Sequence, residues 1–346
     1  MAEGVTKVLE NHAKVIEENY IQPEGQNFRS YALSNLRGGV GKSSLAFNLA
    51  FQISRQHSLL VADVCAQCNF TEMLLGEFKP KVTIYNALQP VILGPAFGEA
   101  PDDISYRISQ RCEHFKGGKS AFVIAGNPEL FAFPSALYQQ LNMAHANKNT
   151  NAVHNLLHGL RKVIEREAKI QECDKVLLDT SPFYAGGTHL AWCAVEAIII
   201  PVRVDEHSMD SLELTLGLLA NPGRDFQVWN ERAGGLVSPK VAAIVMTMVG
   251  AKSRIRATPD QASRMYVERA LGIAEKHASV FGHGDPSDAF VLTDDFHSAG
   301  RISGAERIPI SELRIGRFHT VEGRRLQVNQ SAERYQKQLR YLASMI

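Results

Sequence analysis

The sequence has no apolar run approaching the ~20 residues that cross a bilayer, so no membrane-spanning helix is expected. Its first 20 residues, MAEGVTKVLENHAKVIEENY, lack the basic start and apolar centre of a signal peptide, which places the expected location in the cytosol. Net charge is nearly absent: 37 Lys and Arg stand against 36 Asp and Glu in 346 residues. Attraction to nucleic acid must therefore come from local clustering, because the overall field is weak. Cysteine is scarce too. Five residues, an odd number in a chain this long, give no disulfide framework. No internal repeat or low-complexity tract interrupts the chain.

What is present reads as globular, with 45% hydrophobic and 21% charged residues. The length fits one large α/β domain or two small ones. Short apolar runs at 30–35, 59–64, 121–126, 175–180, 197–202 and 241–249 read as buried strands, with helical patterns at 42–55, 151–169 and 208–220. Strands apolar nearly throughout and alternating with helices predict an α/β fold, a mostly parallel twisted sheet covered by helices on both faces. Val5, Val8, Leu9, Val15 and Ile16 recur at helical spacing. Residues 1–28 are accordingly expected as an amphipathic helix and linker, on the main body or on a partner, ahead of a domain over 29–346. The polar, irregular stretch 97–118 is expected to be an insertion or a mobile loop.

The segment YALSNLRGGVGKSSLAFNLAFQI, 31–53, runs strand, glycine-rich turn, helix. Backbone N–H groups of such a turn and helix start point at anionic oxygens. Gly38, Gly39 and Gly41 permit the tight turn, with Val40 and Ser44 completing the loop. Lys42 is placed to reach terminal phosphates and the Ser43 hydroxyl to ligate Mg2+. An ordinary glycine turn would not need Lys-Ser in register with a strand before it. Yet the strict pattern G-x-x-x-x-G-K-[ST] wants glycine where this chain has Leu36.

RGGVGKSS, 37–44, resembles the deviant Walker A motif [KR]GGxGK[ST] of the ParA/MinD family of P-loop ATPases, in which that first glycine is not required. Further segments resemble the family in the same order: LLVADVCAQCNFT at 59–71, VTIYNAL at 82–88, VIAGNPEL at 123–130, the Walker B-like VLLDTSP at 176–182, AIIIPVRVDEHSMDSL at 197–212 and VMTMV at 245–249. The resemblance covers approximately 30–345. It implies a P-loop fold, ATP and Mg2+ as cofactors, and a homodimer closed across ATP, with Arg37 reaching the partner's phosphates. It also implies that Pro201 and Thr247 lie near the base. Asp179 ends an apolar strand, where a carboxylate can hold a Mg2+-bound water opposite Ser43. Asp63 ends another, placed to bond the loop or the metal shell. A lone strand-ending Asp is ordinarily a cap, but two beside a phosphate loop point to chemistry, giving Arg37, Lys42, Asp63 and Asp179 as the catalytic set.

One departure matters. Where the family carries a second Asp that helps position the attacking water, this chain has Cys65, a neutral and weakly accepting thiol. Slow or partner-dependent hydrolysis is therefore expected, with binding retained. Cys65-x-x-Cys68 has no second pair in the chain to complete a four-ligand metal site, although a dimer could bring two pairs together; coincidental substitution is the preferred reading. His154 and His158 have i,i+4 spacing without the glutamate of H-E-x-x-H and read as packing or surface residues. KGGKS at 116–120 precedes a strand and is rejected as a phosphate loop.

The family's ATP-closed dimers present a surface to DNA, membrane or a protein. Lys252, Arg254 and Arg256, then Arg264 and Arg269, and a later group of Arg314, Arg317, Arg324 and Arg325, are candidate contacts to DNA phosphates, sequence-blind and salt-sensitive. A solvated helix face is the alternative for each. Tyr335, Leu339, Leu342 and Ile346 at helical spacing form either a helix packed on the sheet, which is preferred, or a membrane-targeting helix. The leading expectation is a ParA-like ATPase on nonspecific DNA, nucleoid-associated, with an activating or cargo protein. A MinD-like membrane switch and a hydrolysis-impaired adaptor are the alternatives.

Overall fold

The structure, a computed structural model, describes residues 2–21, 28–250 and 258–346. The expected DNA contacts Lys252, Arg254 and Arg256 lie outside the described residues.

The chain opens with α1 (Ala2–Glu17), β1 (Ser30–Leu33), α2 (Lys42–Ser54), β2 (Leu59–Asp63), α3 (Asn69–Leu75) and α4 (Ile84–Leu93). There follow β3 (Ser105–Arg107), β4 (Ala121–Ile124), α5 (Phe133–Ala146), α6 (Thr150–Leu157), α7 (Gly159–Ile170), β5 (Lys175–Asp179) and α8 (Gly187–Ala194). Next come β6 (Ala197–Arg203), α9 (Glu206–Ala220), α10 (Asp225–Arg232), β7 (Lys240–Val249), α11 (Gln261–Lys276) and β8 (Phe290–Asp294). The chain closes with α12 (His297–Glu306), β9 (Phe318–Val321), β10 (Arg324–Gln327) and α13 (Ala332–Ser344).

Eight strands form one sheet in the order β3-β4-β2-β5-β1-β6-β7-β8, parallel except for the antiparallel edge pair β3–β4. Strand residues alternate between two cores, as the two-residue period of a strand requires. From β2, Leu60 and Ala62 enter the core shared with α4, α7, α8 and α9, and Leu59 and Val61 enter the core shared with α2 and α13. The expected sheet with helices on both faces is what forms.

All six predicted strands occur. The helical pattern at 151–169 divides into α6 and α7 at His158, just before Gly159. The stretch 97–118, expected to be an insertion or a mobile loop, supplies β3 and buries Ile104, Ile108, Cys112 and Phe115 against the sheet edge and α2. Its anchors are single apolar residues at irregular spacing, so no period announces them. Strand β8 and the β9–β10 hairpin were not anticipated.

Both termini lie on the body. Val5 and Val8 enter one core and Val15 the other, Asn11 Nδ2 donates to Tyr341 Oη at 2.7 Å, and Lys337 Nζ donates to the Ile16 carbonyl at 3.0 Å. The apolar stripe of α13 is spent inside: Tyr335, Leu339 and Leu342 are buried, and Arg334 pairs with Asp294 at the end of β8. Among the described residues, no helix is long and apolar enough to cross a membrane. Leu339, 0% exposed, is expected to cost about 2–4 kcal/mol on replacement by Ala, measured by denaturant unfolding. Any sedimentation of the wild type with anionic vesicles should be abolished by high salt, because the α13 stripe that would insert is already covered.

Candidate functional site

The strand register brings the site together. Leu33 of β1 and Asp63 of β2 both pair with Asp179 of β5, so three strands end at one level. Strand β1 lies between β5 and β6, and the chain leaving it turns into the crevice beyond the carboxyl ends of the strands, the usual ligand position of open α/β sheets.

In that turn Gly39 and Gly41 have φ of +74° and +85°, a region closed to most side chains. Leu36 needs no such freedom; its φ is not positive and it packs against the core, so glycine is not required there. Helix α2 starts at Lys42 with Gly41 as its N-cap and no side-chain cap, which leaves its first N–H groups for an anion. Lys42 Nζ donates to the carbonyls of Asn35 at 3.1 Å and Arg37 at 2.7 Å, lying back under the loop. Burial lowers the ammonium's pKa below its ordinary value, partly offset by Asp179.

Asn35 is one of the residues that sequence patterns do not single out. Fully buried, it donates from Nδ2 to the Pro201 carbonyl at 2.7 Å and accepts at Oδ1 from Arg37 N at 2.9 Å and Ser211 Oγ at 2.6 Å. Pro201 thus braces the loop through its carbonyl. A buried asparagine directly after an apolar strand was the available signal.

Ser43 Oγ donates to Asp179 Oδ2 at 2.5 Å, and Asp179 Oδ1 is buried with no partner among the described residues. Asp63 uses both oxygens on the following loop, accepting from Cys65 N at 3.0 Å, Thr71 N at 2.9 Å and Thr71 Oγ1 at 2.8 Å. Asp63, expected to bond the phosphate loop or the metal shell, instead directs its hydrogen bonds to the loop that follows its own strand, residues 65–71. Burial raises both carboxyls, and the charge of Asp63 raises Asp179 further. A hydroxyl and a half-satisfied buried carboxylate side by side fit a hard divalent cation with oxygen ligands.

Cys65 occupies this loop, nearly buried beside Ser181, and burial raises its thiol pKa. The Cys68 thiol is pushed up to about 12 by burial and then by Asp63. Neither is a ready thiolate, and no group of three or more metal-binding side chains occurs among the described residues. His154 and His158 stack edge to face on α6, ring centroids 4.3 Å apart.

Arg37 lies on the rim, its guanidinium paired with Asp205 and donating to Ser208 Oγ at 2.8 Å. Beside the loop, a cavity of about 640 Å³ is lined by Val40, Ser44, Arg203, Thr247, Phe296 and Arg301 among others. Thr247 Oγ1 donates to the Val40 carbonyl at 3.4 Å. Arg203, Phe296 and Arg301 were missed, the last two because β8 and α12 were unread.

The basic candidates separate. Arg269 pairs with Glu206 at 2.5 Å, whereas Arg264 is exposed on α11. Arg314, Arg317, Arg324 and Arg325 gather with Arg301 around the β9–β10 hairpin, all exposed and without a carboxylate partner among the described residues. The Arg325 guanidinium lies 3.9 Å from the centroid of the half-exposed Phe318 ring.

A family model described as AAA domain matches residues 28–221, the part of the chain that holds β1 to α9 and the whole cradle. The chain belongs to that AAA domain family. Its fold is that of the ParA/MinD-type P-loop ATPases, as the motifs imply. It is similar to McdA from Cyanothece in its ATP complex, with TM-score 0.59 and 16% identity over 83% of this chain and 91% of that one. Cobyrinic acid a,c-diamide synthase from Mycobacterium smegmatis, with bound ADP and magnesium, aligns at TM-score 0.50 and 15% identity over 78% and 86% of the two chains. A Borrelia burgdorferi protein described as a plasmid partition protein, bound to AMPPNP, aligns at 0.50 and 16% over 92% and 99%. No curated protein matches the sequence. For a chain of the AAA domain family, the buried carboxylates carry a direct consequence. Asp179 has a folded-state pKa raised above its unfolded value, so stability is fullest below the unfolded value and falls as pH rises through the folded one. Asp179→Asn should therefore raise the stability of the ligand-free chain at pH 8, on the order of 1–3 kcal/mol, and flatten its loss between pH 5 and 8. Urea titrations at both pH values measure this.

Proposed function

We propose that this protein is an ATP-dependent dimerising switch that hydrolyses ATP slowly or on stimulation by a partner, and that its ATP-closed dimer binds nonspecific DNA to partition or position a cargo. The observation that carries the reading is the unpartnered Asp179 Oδ1 next to Ser43 at the mouth of the glycine cradle. The ATP, ADP and AMPPNP complexes of the similar structures support it.

In this reading Gly38 to Ser44 cradle the phosphates with backbone N–H groups, and Lys42 leaves its two carbonyls to meet the terminal phosphate. Ser43 and Asp179 are the residues that would hold Mg2+. Mg2+, when bound, neutralises charge on the phosphate oxygens. Thr247 and its cavity receive the base, and Pro201 holds Asn35 behind the loop. Asp63 fixes the loop that carries Cys65, and Arg37 acts on the phosphates of a second copy. Cys65 offers no carboxylate for the attacking water, so turnover is slow. Residues 1–28 are proposed as a helix and linker packed on an ATPase domain over 29–346. The dimer is proposed to act in the cytoplasm on nucleoid DNA, with a protein that activates it or is its cargo.

The hairpin arginines favour DNA over membrane as the surface. Five exposed guanidiniums with no carboxylate partner among the described residues, and an interleaved aromatic, suit nucleic-acid phosphates, while the apolar face of α13 is covered. Binding to an arbitrary duplex should require ATP–Mg2+, fail with ADP–Mg2+ and weaken steeply between 50 and 200 mM salt, conditions chosen for the steep dependence expected of multiple phosphate contacts. Arg324→Ala with Arg325→Ala should weaken it and reduce the salt slope by about 2. No binding in either nucleotide state would discard the DNA reading. Cys65→Asp should raise the steady-state ATPase rate at least several-fold; an unchanged rate would remove Cys65 as the cause of slow turnover and favour the adaptor reading.

A further inference from the structure

We propose that Asp205 is a positioning residue that parks Arg37 in its own chain and sets a threshold for closure of the ATP-bound dimer. The inference rests on the switch reading above and deepens it.

Asp205 is held by the backbone, not by chance packing. It caps α9, its Oδ1 accepting from Ser208 N at 3.0 Å. The same oxygen takes the Arg37 guanidinium, which also donates to the Oγ of fully buried Ser208 at 2.8 Å. Both side chains of the ion pair are under 30% exposed, so it is sheltered from full solvent screening yet within reach of an approaching surface. Partial burial would raise the Asp205 carboxyl, but the bonds from Arg37 and Ser208 outweigh it and hold it below the ordinary range. The pair is therefore formed at neutral pH.

Asp205 and Ser208 both engage Arg37 through Nη1 and hold the guanidinium against its own chain. Swinging it out to a phosphate of a second copy loosens this pair, and that cost is subtracted from dimer affinity. Opening is feasible because Asp205 has a second cation. Its Oδ2 faces Arg203 Nε at 3.3 Å, so when Arg37 departs the carboxylate keeps a counter-ion and its backbone donor. A half-buried charge is not stranded, which is what makes such pairs costly to break. Arg203 also lines the cavity beside the loop, so one carboxylate lies between an arginine at the cavity and an arginine at the phosphate rim. A permanent brace would need only one of them.

The test is self-association of the full chain by sedimentation velocity, with a slowly hydrolysed ATP analogue and with ADP, each with Mg2+. Asp205→Asn keeps a capping side chain of nearly equal quality and removes the charge. Its ATP-state dimer should be at least fivefold tighter than the wild type, with no gain in ADP. The gain should vanish in the Arg37→Ala background. Ser208→Ala, which removes the neutral acceptor alone, should shift association the same way and less. A mere structural brace would not give nucleotide-selective tightening that depends on Arg37. If the wild type dimerises with the ATP analogue and Asp205→Asn is equal or weaker, the parking role is overturned and the switch reading stands. If no variant dimerises in either nucleotide, both fall.

Discussion

Two carboxylates forced side by side in the sheet interior govern the arrangement of this protein. The β2–β5 register pairs Asp63 with Asp179, and neither side chain reaches solvent. Burying both is unfavourable unless each is supplied with donors. The surrounding chain answers unequally. Asp63 receives three donors from residues 65–71, which fixes the loop carrying Cys65 and starts α3. Asp179 receives one hydroxyl, from the second residue of α2. The imbalance makes one carboxylate a structural post and leaves the other as a waiting ligand, and it ties the glycine turn to the Walker B-like strand before any nucleotide arrives.

The parts legible in the sequence are those with a strong period or a demanding backbone. Strands such as AIIIPV at 197–202 and KVLLDT at 175–180 are buried on both faces, so they read as continuous apolar runs. Gly39 and Gly41 could be read because their positive φ admits little else. Lys42 and Ser43 follow the glycines at the spacing of a phosphate loop, and Asp179 stands out as the acid that ends an apolar strand; the structure brings Ser43 and Asp179 into contact.

What could not be read depends on partners distant in sequence. Strand β8 is five residues whose place at the sheet edge is decided by α1 and α13 packing beside it. Asp294, closing β8, looks like a third strand-ending acid, but its oxygens go to Arg334 and Gln338 some 40 residues on. The hairpin turn Glu322-Gly323, both with positive φ, is a signal that Gly alone carries weakly. Likewise the motif says nothing of the pairing of Arg37 with Asp205, which depends on the α9 cap in space.

These features converge on a site better suited to holding a nucleotide than to consuming it. The cradle has its N–H groups, its lysine, its hydroxyl and its waiting carboxylate, all elements of binding. In the proposed reading, two groups bear on turnover: the thiol of Cys65, where the family resemblance implies a carboxylate, and the rim arginine, which is bound to its own Asp205. The Cys65 thiol is buried, whereas the Arg37–Asp205 pair is only partly buried and lies within reach of an approaching surface. In that reading, opening of this pair is therefore the step through which the number of closed molecules would be set.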